Sequence, residues 1–260
     1  MLSFGFKENL EAESMSELIT TDVINQVLHI EFHRNDKKNA LTSEMYTTLS
    51  QILSKAKKDE RVNVVLFKGG KNCFCAGNDI SDFLEQPVLD EGTPVLKFLH
   101  ELSHFDKPMV AAVSGPAVGI GTTLLLHCDL VYATNQTYFS LPFVDLGLCP
   151  EAGSSYLLPR QLGYVRAAEL LLLAEPFDAK KAKEWGIIND IVDTENYFDI
   201  AQEKAEKLAN KPAHALRVSR QLIRSNSGLV NKAIEREARS FSELLGSDEA
   251  KAIFKKFLEK

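Results

Sequence analysis

The chain has 260 residues and a formal net charge of −6, from 30 Lys+Arg against 36 Asp+Glu. It is 45% hydrophobic and 25% charged, an ordinary globular composition long enough to bury one sizeable core. No run of Lys or Arg offers a face that could track phosphates, which argues against nucleic acid as the main partner, though a few local lysines could still hold a small phosphorylated ligand. No apolar stretch approaches the ~18–20 residues of a membrane span.

The cysteines Cys73, Cys75, Cys128 and Cys149 read as reduced thiols. The start, MLSFGFKENLEAES, lacks the apolar core of a signal peptide, and Leu258-Glu259-Lys260 is not the peroxisomal Ser-Lys-Leu signal. Cys73-Phe74-Cys75 lacks the spacing of a redox pair or a zinc site. A cytoplasmic location is the expectation.

Residues 1–22 are polar and aperiodic. Leu28, Ile30 and Phe32 then alternate with His29, Glu31 and His33, the period of a half-buried strand whose histidines take the polar side. Met45, Leu49, Ile52, Leu53 and Ala56 form a helical stripe that ends in the charged run 55–61. A buried strand over 62–67 stops at Gly69-Gly70. Residues 85–94, with two prolines and several acids, read as a mobile loop.

Residues 108–113 predict a further buried strand, 122–128 a helix buried nearly all round, and 130–134 and 138–141 two short strands. Helices follow over 151–158 and 164–174. Asp178 is placed to cap a helix over 179–185, which Gly186 stops, and 187–192 is the last strand. From 195 onward only helical stripes remain, at 195–210, 213–225, 228–245 and 248–258. Alternating β and α followed by helices predicts an α/β fold: a core over 1–194 that carries the site, and a helical C-terminal region over 195–260. No internal repeat or low-complexity stretch interrupts it.

Two strand-to-turn junctions stand out. One is Asn72-Cys73-Phe74-Cys75-Ala76-Gly77-Asn78-Asp79-Ile80; the other is Ser114-Gly115-Pro116-Ala117-Val118-Gly119-Ile120-Gly121, which opens a helix. Small residues at strand ends let backbone approach a ligand, and a helix N-terminus offers free N–H groups. The second junction lacks the Gly-Lys-Ser/Thr ending of a phosphate loop. As glycine spacing alone, both are also compatible with plain turns.

Taken together, these stretches closely resemble the crotonase (enoyl-CoA hydratase/isomerase) superfamily. The matching segments are Asn39-Ala40-Leu41, Phe74-Cys75-Ala76-Gly77-Asn78-Asp79, Lys107-Pro108, the run from Ala111 to Gly119, Cys128-Asp129-Leu130, Pro150-Glu151-Ala152-Gly153 and Leu158-Pro159-Arg160 with Gly163. In order and spacing they cover roughly residues 23–190. The resemblance implies a spiral of ββα units with a C-terminal helical region used in trimer contacts. It also implies an oxyanion hole from the backbone N–H groups of Asn78 and Ile120, which would hold a thioester carbonyl and stabilise an enolate. Lys38, Ala40, Ala76, Gly77, Asp79, Ile80, Gly119, Phe143 and Leu148 would bind the substrate.

Hydratases of the superfamily carry two glutamates. Their positions match Thr123 and Phe143 here, neither of which can activate water. One acid remains: Glu151, after Leu146-Gly147-Leu148-Cys149-Pro150. Peroxisomal-type Δ3,Δ2-enoyl-CoA isomerases carry their single catalytic glutamate there, so the resemblance implies a shift of 3-enoyl-CoA to trans-2-enoyl-CoA with Glu151 as acid and base. Apolar neighbours Phe143, Leu146 and Leu148 would raise its pKa. The residue-level alternative is a carboxylate that offsets a helix dipole. Asp145 is a possible second acid. Asp79 and Asp129 read as structural, and Lys37, Lys38, Lys255 and Lys256 as candidates to meet coenzyme A phosphates, the last two from a neighbouring subunit. His100 and His104 lack a third ligand for zinc.

No metal and no separate cofactor is expected, because coenzyme A arrives as part of the substrate. The expected partners are an acyl-CoA and further copies of the chain, as a trimer or a dimer of trimers. Other crotonase chemistry (hydration, thioester hydrolysis, decarboxylation) and a non-catalytic acyl-CoA-binding module are the alternatives.

Overall fold

The structure is a computed structural model and describes residues 17–85, 90, 92–224 and 227–259. Half of the loop expected over 85–94, and most of the polar N-terminal stretch, lie outside the described residues. The first described element is a hairpin. Strand β1 (Ile19–Ile24) pairs antiparallel with β2 (Val27–Phe32). Asn25 and Gln26 between them both take positive φ, 51° and 65°, the geometry that lets a two-residue turn match strand twist. Sequence periodicity misses β1 because Thr20, Thr21 and Asp22 are exposed on this edge strand and no alternation shows.

Helix α1 (Ser43–Lys58) is capped by Thr42, whose hydroxyl accepts from Met45 N at 3.3 Å. All five residues of its predicted stripe are buried, and it packs against α3 (Pro94–His104). Its C-terminal end is closed by Lys107. This buried ammonium donates to the carbonyls of Ala56, Asp59 and Val62, each at 2.7 Å. Replacing Lys107 by Met keeps the stem and removes all three bonds. Chemical denaturation is expected to show a loss of about 2 kcal/mol.

Two sheets grow together along the chain. The larger has the order β1-β2-β3-β4-β6-β9, with β3 Val64–Lys68, β4 Met109–Val113, β6 Leu130–Thr134 and β9 Asp190–Val192; every pair after the hairpin is parallel. The smaller has the order β5-β7-β8, from Pro116–Val118, Tyr138–Ser140 and Phe177–Asp178. From β4 onward the chain adds strands to the two sheets in pairs, β4 with β5, β6 with β7 and β9 with β8. The main core fills the space between the sheets, α1 and α3.

The other face of the larger sheet is covered by α8 (Tyr197–Ala209). Its small residues Ala201, Ala205 and Ala209 let it lie close on Val27, Val64, Leu66, Val110 and Ala112. The polar side expected for His29 is therefore buried too. His29 Nε2 lies 2.7 Å from Gln202 Oε1, and its ring meets Phe198 edge-on. So the helical region begins by completing the sheet. Helices α9 (Ala213–Ile223), α10 (Ser227–Leu245) and α11 (Asp248–Leu258) follow as predicted.

Four element boundaries differ from expectation. The helix after the second junction is one α turn, α4 (Ile120–Thr123), that tightens into a 3-10 segment over Leu124–His127. Helix α5 runs Ser154–Leu162 instead of starting at 151, because Ala152 and Gly153 take left-handed φ of 58° and 74°. After α6 (Tyr164–Ala168) the chain widens into a π segment, Glu169–Leu173. β9 begins only at Asp190, since the amides of Ile187 and Ile188 return to Ala182 O and close α7 (Ala179–Glu184). Asp178 caps α7 as expected, accepting from Lys181 N at 2.8 Å. Among the described residues, no helix is long and apolar enough to cross a membrane, and no group of three or more His, Cys, Asp or Glu could hold a metal ion.

Candidate active site

The first junction is clamped from outside by residues 38–41. Ala76 N donates to Lys38 O at 3.0 Å, Leu41 N to Gly77 O at 2.8 Å and Asp79 N to Leu41 O at 2.9 Å. Asn39 is fully buried and donates to the carbonyls of Cys73 and Phe74, each at 3.1 Å. Arg34 completes the frame, with its guanidinium 2.7 Å from Asp79 and 2.9 Å from Ala40 O. Burial pushes the Asp79 carboxyl up, but the Arg34 guanidinium and the backbone N–H groups of Ser81 and Asp82 together outweigh it and leave the group below its ordinary value. Asp79 orders this loop, as the sequence suggested.

The second junction lies directly against the first. Val118 N donates to Cys75 O at 2.9 Å, and Ala117 bridges Cys75 in parallel. Gly119 (φ 54°) turns the chain into α4, and a Cβ there would sit 3.8 Å from Gly77 Cα. At Gly121 a Cβ would fall 2.5 Å from Cys75 O, so only glycine lets α4 approach this closely. Asn78 and Ile120 each follow one of the two apposed glycines. Neither of their backbone N–H groups donates to another backbone group among the described residues.

Glu151 sits on the tight turn before α5 and is 4% exposed. Its own carbonyl accepts from Ser154 N at 3.0 Å and Ser154 Oγ at 2.6 Å. Two buried side chains pin the rest of the turn. His127 Nε2 lies 2.7 Å from Ala152 O. Burial and the nearby Arg224 push the His127 pKa down to about 3, so its ring is neutral and Nε2–H donates. Glu237, from α10, accepts from Gly153 N at 2.6 Å and Ser155 N at 2.9 Å, which caps α5. The left-handed, fully buried Ala152 is held by these contacts, a local strain of the kind that functional turns retain.

The Glu151 carboxyl itself has one donor among the described residues. Asn78 Nδ2 lies 3.4 Å from Oε2, while Oε1 is buried without a partner. Asn78 Oδ1 in turn accepts from the Tyr46 hydroxyl. Burial raises the Glu151 pKa to about 8; the Asn78 amide opposes the rise and the Glu237 carboxylate adds to it.

In front of this constellation opens a cleft of about 790 Å3. Lys38, Ala40, Ala76, Gly77, Asn78, Asp79, Ile80, Gly119, Phe143 and Leu148 all line it, together with Lys37 and Asp145. Ile120 and Glu151 are buried beside it and are not among the residues that line it; Glu151 is linked to the lining through the Asn78 side chain. Thr123 is buried with an unpartnered hydroxyl. Phe83 and Phe241 add to the apolar wall, and so does α11 through Ile253, Phe254, Phe257 and Leu258. Lys256 lies at the cleft of its own chain, whereas the sequence reading assigned it to a neighbour's. His100 bonds to Asn231 at 2.6 Å and does not line the cleft.

The sequence pattern of the enoyl-CoA hydratase/isomerase family matches residues 22–260. The chain belongs to that family. A solved structure of Pseudomonas aeruginosa OdaA is 42% identical and superposes with a TM-score of 0.91, covering 94% of this chain and 100% of the other. The 1,2-epoxyphenylacetyl-CoA isomerase of Escherichia coli K12 is 35% identical over 218 residues, 81% of this chain and 83% of that protein. Enoyl-CoA delta isomerase 2 of Rattus norvegicus is 34% identical over 228 residues, 85% of this chain but 58% of the rat protein.

Sequence reasoning missed several residues that surround Glu151 and the cleft: Tyr46, His127, Glu237 and the apolar face of α11. Tyr46 hides in the buried stripe of α1. Glu237 did leave a signal. It lies on the stripe Val230, Ile234, Glu237, Phe241, one acid at a helical position that its apolar neighbours mark as buried.

Proposed function

We propose that the cleft binds an acyl-CoA and that Glu151 converts 3-enoyl-CoA to trans-2-enoyl-CoA. The observation that carries this reading is the buried, desolvated Glu151 carboxyl, linked through Asn78 to the two apposed junctions. The thioester oxygen would accept from the N–H groups of Asn78 and Ile120. Glu151 would take the proton from C2, leaving a dienolate whose negative charge rests on that oxygen, and would return the proton to C4. The double bond moves and no atom is gained or lost. A second acid is not needed, and the side chains at the hydratase positions, Thr123 and Phe143, cannot supply one.

A carboxylate with a pKa near 8 is a far stronger base than an exposed glutamate, which helps it remove a weakly acidic carbon-bound proton. Lys37, Lys38 and Lys256 at the cleft would meet coenzyme A phosphates, while Phe241, Phe254 and Phe257 would cover the acyl chain. The exposed apolar residues Val218, Leu222 and Ile223 of α9 suit contact with further copies of the chain.

The test is incubation with 3-enoyl-CoAs of several lengths, following conjugation by ultraviolet absorbance. Free CoA, CO2 or a 3-hydroxyacyl product instead of conjugation would sink the isomerase reading. Because the base must be ionised, kcat/KM is expected to rise tenfold per pH unit below about 8 and to level off above it. A profile already flat from pH 6 would contradict a desolvated glutamate as base.

A further inference from the structure

Asn78 has two ends that face different residues. Its Oδ1 is occupied by the Tyr46 hydroxyl and its Nδ2 faces Glu151 Oε2. A carboxamide can turn over and exchange its donor and acceptor ends. A tyrosine hydroxyl donating to Oδ1 selects the orientation in which the NH2 group meets the carboxylate. Tyr46 is 1% exposed and its ring packs against Phe98 on α3, so the hydroxyl is held in place. Through its Asn78 contact, α1 thus reaches the Glu151 turn. We propose that Tyr46 and the Asn78 carboxamide form a positioning pair for Glu151, in which Tyr46 fixes the end of the carboxamide that faces the carboxylate. This rests on the reading of Glu151 as the base.

The pair has a chemical consequence. An NH2 group can only donate, and it donates more strongly to a carboxylate than to a neutral acid, so it favours the ionised base. It is the one donor the carboxyl has among the described residues, and at 3.4 Å it is a long one. The other titratable groups around Glu151 are Glu237 from α10, Tyr46 from α1, Cys75 from the first junction and Cys149 on its own turn. Burial pushes the two thiols up to about 12 and 11, and the Tyr46 hydroxyl is raised as well, so all three stay neutral below pH 9. Glu237 is the one other carboxyl among them, and burial raises its pKa as well.

The experiment is a carboxyl 13C titration of ligand-free enzyme labelled at glutamate, with the Glu151 signal assigned by its absence in E151Q. Asn78→Leu removes the donor and keeps the size of the side chain and the backbone N–H. It is expected to raise the Glu151 midpoint by about 0.5–1 pH unit. Tyr46→Phe, which deletes one oxygen and adds no volume, should raise it by less. The acidic limb of kcat/KM should move by the same amount in each variant. Repeating both in an E237Q background separates the neighbour's titration from that of Glu151. An unchanged midpoint in Asn78→Leu overturns the proposal. If that variant does not fold, an unchanged midpoint in Tyr46→Phe overturns it equally. Normal turnover by E151Q would defeat the assignment of Glu151 as base, while the titration would still decide whether the pair acts on this carboxyl.

Discussion

Glu151→Gln is expected to lower 3-enoyl-CoA isomerisation by about 10³-fold or more, with acyl-CoA binding kept. Glutamine fills the same space, and its amide can still lie beside Asn78, but it cannot accept the C2 proton. The same variant carries an opposite expectation for stability. Burial holds the Glu151 carboxyl at about 8 against an ordinary value of 4.5. Between those values the unfolded chain has released a proton that the folded chain still holds. Stability is therefore lost as pH rises through that window. Glutamine has no such proton, so above pH 8 the variant should be the more stable protein, by on the order of 4 kcal/mol. Turnover near the wild-type rate would refute the base assignment. Equal denaturation midpoints at pH 6 and pH 9 for the two proteins would refute the desolvation argument alone.

The second large effect is expected at Gly121. A methyl group there would need space now held by Cys75 O and Cys75 Cβ, at 2.5 and 2.9 Å. Both belong to the first junction, so Gly121→Ala forces the junctions apart. The N–H groups of Asn78 and Ile120, proposed above to share the thioester oxygen, would be displaced from one another. A displacement of about 1 Å in such a site costs roughly 100-fold in rate, and the overpacking adds about 1–3 kcal/mol of destabilisation. Gly228→Ala is the control, because that glycine lies in α10 with nothing within 4 Å of its added Cβ. Steady-state turnover and thermal melting decide between them. Wild-type turnover in Gly121→Ala would show that the close approach is not needed for the chemistry.

What the sequence disclosed follows from how each feature is built. Periodicity exposes elements that bury one face against the core, which is why the stripe of α1, the strands β3 and β4 and the four last helices were all legible. β1 was not, because it is a polar edge strand defined by its turn at Asn25 and Gln26. The start of α5 was missed because a left-handed alanine, Ala152, interrupts a run that reads as helical. The residues expected from the family resemblance to bind substrate all lie along the cleft; those of the two junctions stand in short contiguous motifs, whereas Phe143 and Leu148 stand outside them. The groups that hold Glu151 come from elsewhere: Tyr46 from α1, His127 from the segment after α4, Glu237 from α10. No local pattern joins residues so far apart, so only the folded chain shows that they meet.

The cleft wall runs from Asp36 to Leu258 and takes residues from both sheet-end junctions and from α2 (Ile80–Glu85), α10 and α11. Nearly the whole described chain must be in register before that wall closes. A molecule that needs the finished cleft can therefore recognise only the native state, and not a collapsed intermediate that lacks the last helices. Occupancy then acts as a report on complete folding: by mass action, ligand would protect the whole molecule against global opening while leaving local fraying of its distant edges, such as β1, untouched.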